Sequence, residues 1–428
     1  MVSPVSITLW GTELGALSWD EERHFASFEF FTDFLKTPWD VSPIHMPLAR
    51  SRGRIYSFPL LNEETYRGLP GMLSDVLPDD FGNRLIDQWL YLNNIDKANF
   101  SPLDRLCYIG KRGMGALEFK PSKGPVTDTM TPLEIDKLVT LSQKILSERE
   151  NLRLNMKEAE QLNELIKVGT SAGGQRAKAI IAFHPETGEV RSGQAEVPEG
   201  FEHYLFKFDS VTNNELGDPA GYGRIEYAYY LMALDCGIEM MPSRLFEEND
   251  RAHFMTKRFD RIGSNEKLHM QTLCSLAHFD YKRPGAYGYE DAFSVMRQLL
   301  LPHDQAVELF RRMVFNVIAR NQDDHTKNIS FLMGKDGRWR LSPAYDMTYA
   351  YNPQGIWTSQ HQMLINGKRS RITMADLTAV AEKISYKKGK ELIAHVKEVI
   401  SQWEGYADKA GIPKKQASRL KAAFRLQL

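Results

Sequence analysis

Strand-like apolar pieces, VSITLWG and RIYSFPLL, are separated by turn-rich stretches carrying Gly and Pro over the first hundred or so residues, which predicts a small α+β subdomain. From Lys120 to Pro132, KPSKGPVTDTMTP lacks large apolar residues and is rich in breakers, so it reads as a connector. PLEIDKLVTLSQKILSE then places apolar residues at helical spacing. From Leu165, LIKVGTSAGGQRAKAIIAFHPETGEVRSG reads as a strand, a glycine turn, a second strand from Ala179 to Phe183 and a hairpin turn over His184 to Glu189. HYLFKFDS follows as a strand with Lys207 inside a largely apolar run. RIEYAYYLMALDCG reads as a helix with a Gly237 stop. SRLFEEND and RAHFMTKRF form the next hairpin, and Asp304 to Ala319 a largely buried helix. No internal repeat or low-complexity tract appears.

Composition narrows the class. With 428 residues the chain exceeds what one core usually organises, so two or three subdomains are expected, none needing a disulfide. Cys107, Cys236 and Cys274 are scattered in apolar segments without metal spacing, which favours reduced, buried thiols and the cytoplasm. The start, MVSPVSITLWG, has no basic region followed by an apolar one, and no apolar run approaches bilayer length, so secretion and membrane insertion are not expected. A net charge of -1 gives no global pull towards nucleic acid. The excess of Lys and Arg from Ser385 onward reads as a solvated helical face.

The candidate chemistry begins where the buried helix ends, in RNQDDHTKN, Arg320 to Asn328. Asp323 lies five residues before Asn328. Ile329 to Met333 and Arg338 to Leu341 have strand composition around the tight turn GKDG, so the chain doubles back and returns Asp346 beside Asn328. A carboxylate and a carboxamide oxygen are hard ligands suited to Mg²⁺. Phosphoryl transfer in protein kinases uses the same order: an Asp that accepts the hydroxyl proton, an Asn five positions on at a metal, and a second metal-binding Asp after a hairpin. Zinc is disfavoured, because the cluster has no HExxH and no cysteine partner.

Upstream residues supply the remaining parts. Gly173 and Gly174 let backbone amides approach phosphates closely, and Lys207 offers a point charge for them. Glu226, near the start of the next helix, is the candidate to hold that lysine, and main-chain groups of Lys257, Arg258 and Phe259 are candidates for the adenine. Each piece alone also reads as ordinary structure: a strand turn, a snorkelling lysine, a solvated glutamate. Their order along the chain is what argues for a nucleotide phosphotransferase.

GLPGMLSDVLPDDFGNRL from Gly68, YIGKRGMGALEF from Tyr108 to Phe119, TSAGGQRAKA, KRFDR from Lys257 to Arg261, NQDDHTKNISF and PAYD together resemble the signatures of the HipA family of bacterial serine/threonine protein kinases, the toxins of HipBA toxin-antitoxin pairs. The resemblance covers most of the chain. It implies an α+β, protein-kinase-like, two-lobed fold: an extra N-terminal α+β subdomain (1–130), a β-rich nucleotide-binding lobe (131–259) and an all-α C-terminal lobe with the catalytic loop (260–428). Carried over to this sequence, Asp323 is the general base, Asn328 and Asp346 bind Mg²⁺, and Lys207 binds phosphate. Ala172, Gly173, Gly174, Gln175, Arg176 and Ala177 form the phosphate loop of the ATP site. His325, Thr326, Lys327, Asn328 and Tyr345 make further nucleotide contacts. The resemblance also implies autophosphorylation in the glycine loop, where Thr170 stands in place of the family's serine with Ser171 beside it. The implied partners are a protein substrate, with an aminoacyl-tRNA synthetase as the target, and a HipB-like helix-turn-helix antitoxin that reaches operator DNA. Two alternatives keep the same residues: a small-molecule kinase, and a catalytically silent co-repressor bound to the antitoxin.

Overall fold

The computed structural model describes residues 4–78, 80–124, 132–147, 156–169, 176–193, 196–209, 211, 221–263 and 265–428. The chain divides into two compact units. Met1–Ser42, Met46–Gly223 and Pro242–Met270 form the first, and Pro43–His45, Arg224–Met241 and Gln271–Leu428 the second.

The first unit holds two antiparallel sheets. β1 (Val5–Leu9), β2 (Thr12–Asp20), β3 (Phe25–Phe30), β4 (Ile55–Tyr56) and β5 (Leu117–Lys120) are ordered β4-β3-β2-β1-β5. The short helices α1 (Glu63–Tyr66) and α2 (Gly71–Ser74) and the longer α3 (Asp80–Leu92) and α4 (Pro102–Ile109) precede β5. A capping box between Ser101 and Asp104, with Pro102 at the first helical position, starts α4.

Beyond the connector come α5 (Ile135–Ser147) and α6 (Met156–Gly169). The strand expected to begin at Leu165 is instead the last turns of α6. Leu162, Leu165 and Ile166 are all buried, and their spacing follows the helical period rather than alternation. The second sheet, β7-β6-β8-β10-β9, consists of β6 (Lys178–Phe183), β7 (Val190–Ser192), β8 (Glu202–Lys207), β9 (Ser243–Glu248) and β10 (Arg251–Lys257). Its strands match the expected hairpins. Ile181, Phe206 and Met255 of this sheet join Phe81 and Leu85 of α3, Leu138 of α5 and Leu165 of α6 in one core. β11 (Arg261–Ile262) and β12 (Glu266–Lys267) form a small hairpin after β10.

The second unit is mainly helical: α7 (Tyr222–Asp235), α8 (Leu273–Ala277), α9 (Tyr289–Gln298), α10 (His303–Ile318), α11 (Met374–Lys383), α12 (Gly389–Ser401), α13 (Trp403–Lys409) and α14 (Lys414–Lys421). On α10, buried Leu309, Phe310, Met313, Val314, Val317 and Ile318 form one apolar stripe, which packs with Tyr229 of α7, Ile393 of α12 and Trp403 of α13. An all-helical C-terminal lobe was the expectation. The chain departs from it with a three-stranded sheet, β13 (His269–Thr272), β14 (Ser330–Met333) and β15 (Trp339–Leu341). The Ile329 to Leu341 stretch has to pair as strands because Gly337, at φ 73°, closes its turn.

Candidate active site

The end of α10 aims the polar stretch. Ala319 caps the helix, Arg320 takes the left-handed conformation at φ 60°, and the Asn321 N–H donates to Asn316 O at 3.0 Å, closing a Schellman turn. Glycine usually fills that left-handed position. Here the arginine is held by its own contacts, Nε to Ala423 O at 2.7 Å and the guanidinium 4.3 Å from the Tyr351 ring centre. The reversed chain then runs beside residue 350, with Gln322 N–H donating to Ala350 O at 3.0 Å.

Burial separates the two tandem carboxylates. The Asp324 side chain is 1% exposed, whereas that of Asp323 is 49% exposed. Asp324 accepts from the Gln362 N–H at 2.8 Å, from His361 Nδ1 at 2.9 Å and from the Tyr289 hydroxyl at 3.0 Å. Burial, with Asp324 beside it, pushes Tyr289 far above the ordinary tyrosine range, so its proton stays available for donation. Tyr289 in turn accepts from Asn316 Nδ2 at 3.1 Å. Asp324 is therefore an anchor, and Asp323 is the carboxylate that faces solvent. His325 Nε2 stands 3.9 Å from Asp323 Oδ1, too far for a hydrogen bond.

Asn328 ends the 3-10 turn Thr326–Asn328, and its Nδ2 donates to Asp323 O at 2.8 Å. That bond fixes the loop between Asp323 and Asn328 and leaves the Asn328 Oδ1 as an acceptor. Thr326 is pinned by its hydroxyl to Phe279 O at 2.6 Å, while Lys327 Nζ lies 5.0 Å from the Tyr281 ring centre. The β14–β15 hairpin returns the chain to this loop: the Tyr345 hydroxyl donates to Lys327 O at 2.6 Å, and Asn321 Nδ2 donates to Asp346 O at 3.4 Å. Asp346 sits at φ 52°, a left-handed conformation that aspartate tolerates better than most residues. Among the described residues no three His, Cys, Asp or Glu side chains gather as a metal set. Asn328 and Asp346 offer two hard oxygens, which suits an ion that completes its shell with water and phosphate, and disfavours a closed all-protein cage.

In the first unit, Lys207 closes β8, directly opposite Lys178 of β6 and Phe254 of β10, with Nζ 5.8 Å from the Phe254 ring centre. Ala177 is buried just before β6, and its carbonyl accepts from Phe208 N–H at 3.1 Å. Arg176 stacks over Tyr222. Thr170, Ser171, Ala172, Gly173, Gly174 and Gln175 lie outside the described residues. Lys257 pairs with Glu202 at 2.5 Å, and the Lys257 and Arg258 N–H groups donate to Pro242 O and His203 O, both at 2.9 Å. The Arg258 guanidinium is buried on Asp260. Burial favours a neutral Asp260, yet Arg258 and Arg261 outweigh it and hold the carboxyl well below the usual range. Phe259 is half-buried. Glu226, on α7 of the second unit, is buried at 3% exposure.

Residues 170–404 match the family model of the HipA-like C-terminal domain, and residues 5–120 match that of the HipA N-terminal domain. The chain belongs to the HipA family. Two curated relatives of this HipA-family chain carry the name "Putative kinase". One, from Sinorhizobium fredii, is 25% identical over 71% of this chain and 69% of its own length; the other, from Haemophilus influenzae, is 28% identical over 22% and 29%. Among solved structures, the fold is shared with a chain of the Shewanella oneidensis MR-1 toxin-antitoxin system HipA, HipB and operator DNA complex. That match has a TM-score of 0.66 at 16% identity and covers 98% of this chain and 94% of that one.

Sequence reasoning missed the support behind the HipA-family loop. Tyr289, His361 and Gln362 hold Asp324, Asn316 supports Tyr289, and Asn321 ties the loop to Asp346. No local signal in the tandem DD showed which carboxylate is buried; once Asp324 is out of water its charge has to be met by hydrogen-bond donors, and these come from distant parts of the chain.

Proposed function

We propose that the chain is a Mg²⁺- and ATP-dependent serine/threonine protein kinase, acting as the toxin of a type II toxin-antitoxin pair. The observation that carries this reading is the divided carboxylate pair: Asp324 locked in a buried network, Asp323 half-exposed and hydrogen-bonded through its carbonyl to Asn328. In this reading 131–259 serves the nucleotide and 260–428 the chemistry, with 1–130 as an added subdomain.

Asp323 accepts the proton of an incoming serine or threonine hydroxyl as the hydroxyl oxygen attacks the γ-phosphorus of ATP; the bond from that phosphorus to the β–γ bridging oxygen breaks, and ADP leaves. Asn328 and Asp346 would hold the ion, which would supply positive charge to neutralise the phosphates. Lys207, oriented by Glu226, and the phosphate loop Ala172 to Ala177 hold the triphosphate, while Tyr345 and His325 to Asn328 complete its contacts. Because the Lys257 and Arg258 N–H groups are already engaged, adenine recognition by this stretch falls to carbonyls and Phe259. Phosphate on Thr170 or Ser171 adds negative charge beside the nucleotide's own phosphates and so weakens ATP binding. Mass spectrometry after ATP incubation is expected to find it there.

The solved complex that shares this fold contains HipB and operator DNA, which supports a HipB-like antitoxin as partner here. The acceptor class, with an aminoacyl-tRNA synthetase as the leading target, is tested by incubating the protein with labelled ATP and whole lysate. Label in a discrete protein band supports the reading; label confined to a small metabolite would transfer the same site to small-molecule phosphorylation.

A further inference from the structure

The first unit holds a cluster of buried charges that none of the roles above uses. Directly after Lys257–Phe259, Asp260 is fully buried. It accepts from Arg258 Nε and Nη2 at 2.8 and 2.7 Å, from Arg261 Nη1 at 2.8 Å and from the Gly115 N–H at 2.7 Å. Arg261 also donates to Gly115 O at 3.2 Å and to Gly113 O at 3.3 Å. At the far end of the β11–β12 hairpin, Lys267 donates to Lys111 O at 2.8 Å and to Glu118 at 2.7 Å, and the Trp10 indole N–H donates to Lys267 O at 2.7 Å. The partners on one side all come from β5, the turn before it and the residue after β1. Those on the other side, Arg258, Asp260, Arg261 and Lys267, lie within the proposed adenine-binding stretch or follow it.

Stability alone is a poor explanation for this cluster. Burying ions is costly, and apolar replacements of similar volume are often as stable. What a two-pronged Arg-carboxylate pair does enforce is geometry, because both N–H vectors must meet both oxygens. Arg258 belongs to the adenine-binding stretch, so fixing its guanidinium fixes the course of the backbone that carries it. Gly115 completes the fit: at φ 77° its N–H faces Asp260, and an added Cβ would lie 3.1 Å from Met270 N.

We propose that Asp260 is a positioning residue for the nucleotide site: clamped to the Gly113–Gly115 turn, it holds the backbone of Lys257–Phe259, making the N-terminal sheet part of the frame that sets affinity for the adenine of ATP. The inference rests on the kinase reading. Asp260 touches no substrate group and acts through Arg258.

The test compares full-length Asp260→Asn with the unmodified protein in three measurements: calorimetric ATP binding, phosphotransfer kinetics and hydrogen exchange at residues 257–259. The expected result is a roughly tenfold rise in Kd and KM for ATP, kcat at saturating ATP changed by less than about twofold, and faster exchange of the Lys257 and Arg258 amides. Lys267→Met loosens the same clamp outside the buried triad, and is expected to raise KM in the same direction if Asp260→Asn does not fold. Unchanged ATP affinity with unchanged exchange in a folded variant overturns the inference, as does a fall in kcat at constant KM. If the unmodified protein binds no ATP, the kinase reading falls instead, and the exchange measurement still decides whether Asp260 positions this backbone.

Discussion

Asp323 and Asp324 are chemically identical neighbours in opposite surroundings, one half-exposed and one buried. Three donors and near-complete burial commit Asp324 to structure, and the Tyr289 hydroxyl is one of those donors. Tyr289→Phe strips a bond from Asp324 and another from Asn316, so it is expected to lower stability by about 1–3 kcal/mol and to slow phosphotransfer, as urea unfolding and a rate assay would show. The closeness of Asp323 to Asn328 was legible because their five-residue spacing is local. The anchors of Asp324 were not, since His361 and Gln362 lie 37 and 38 positions away and no period links them to the loop.

One buried histidine, His269, and one half-buried histidine, His278, give a pH dependence at the same scale. Burial pulls His269 down to about 4; burial, reinforced by the His45 ring stacked 3.8 Å away, pulls His278 down to about 3. Both fold as neutral rings, whereas in the unfolded chain they take up a proton near pH 6.5. Their contribution to stability is therefore full above pH 6.5 and declines as pH falls through 6.5 towards those folded values, by about 2 kcal/mol each at pH 5. His278→Asn, which tolerates the φ of 55° there, is expected to flatten the loss between pH 7 and pH 5 in urea titrations.

At the scale of elements, the β6–β7 and β14–β15 hairpins could be read because Gly188 and Gly337 stand where positive φ is required, and the β9–β10 hairpin because Asn249 and Asp250, which tolerate that conformation, fill its turn. α6 was misread at its end, because LIKV is apolar enough for a strand when its upstream turn is ignored; Leu162 supplies the missing helical period. α11 shows how a local signal fixes a boundary. Asp376 accepts from the Thr373 N–H at 2.9 Å and its hydroxyl at 2.7 Å, and also pairs with Lys368 at 2.8 Å. Thr373→Ala is expected to cost about 1 kcal/mol in chemical denaturation.

The whole molecule was the least legible level. The two units are discontinuous in sequence: Pro43–His45 belongs with the second, where Ile44 packs on the helical core, while Pro242–Met270 returns to the first. Composition marks connectors where breakers cluster, but it carries no sign that a segment is lent to another core, since the packing partners are hundreds of residues away. No described helix is long and apolar enough to cross a membrane. The family supplies what local pattern could not, the coherence of motifs spread from Gly68 to Asp346.

The central claim is that Asp323 serves as the base of an ATP-dependent phosphotransfer. Its most direct test is the rate of phosphate transfer from labelled Mg-ATP to protein by the unmodified chain and by Asp323→Ala, with ATP binding measured on both. The account predicts a rate lower by about 10²–10⁴-fold at nearly unchanged ATP affinity. Transfer at an undiminished rate in the variant would contradict it.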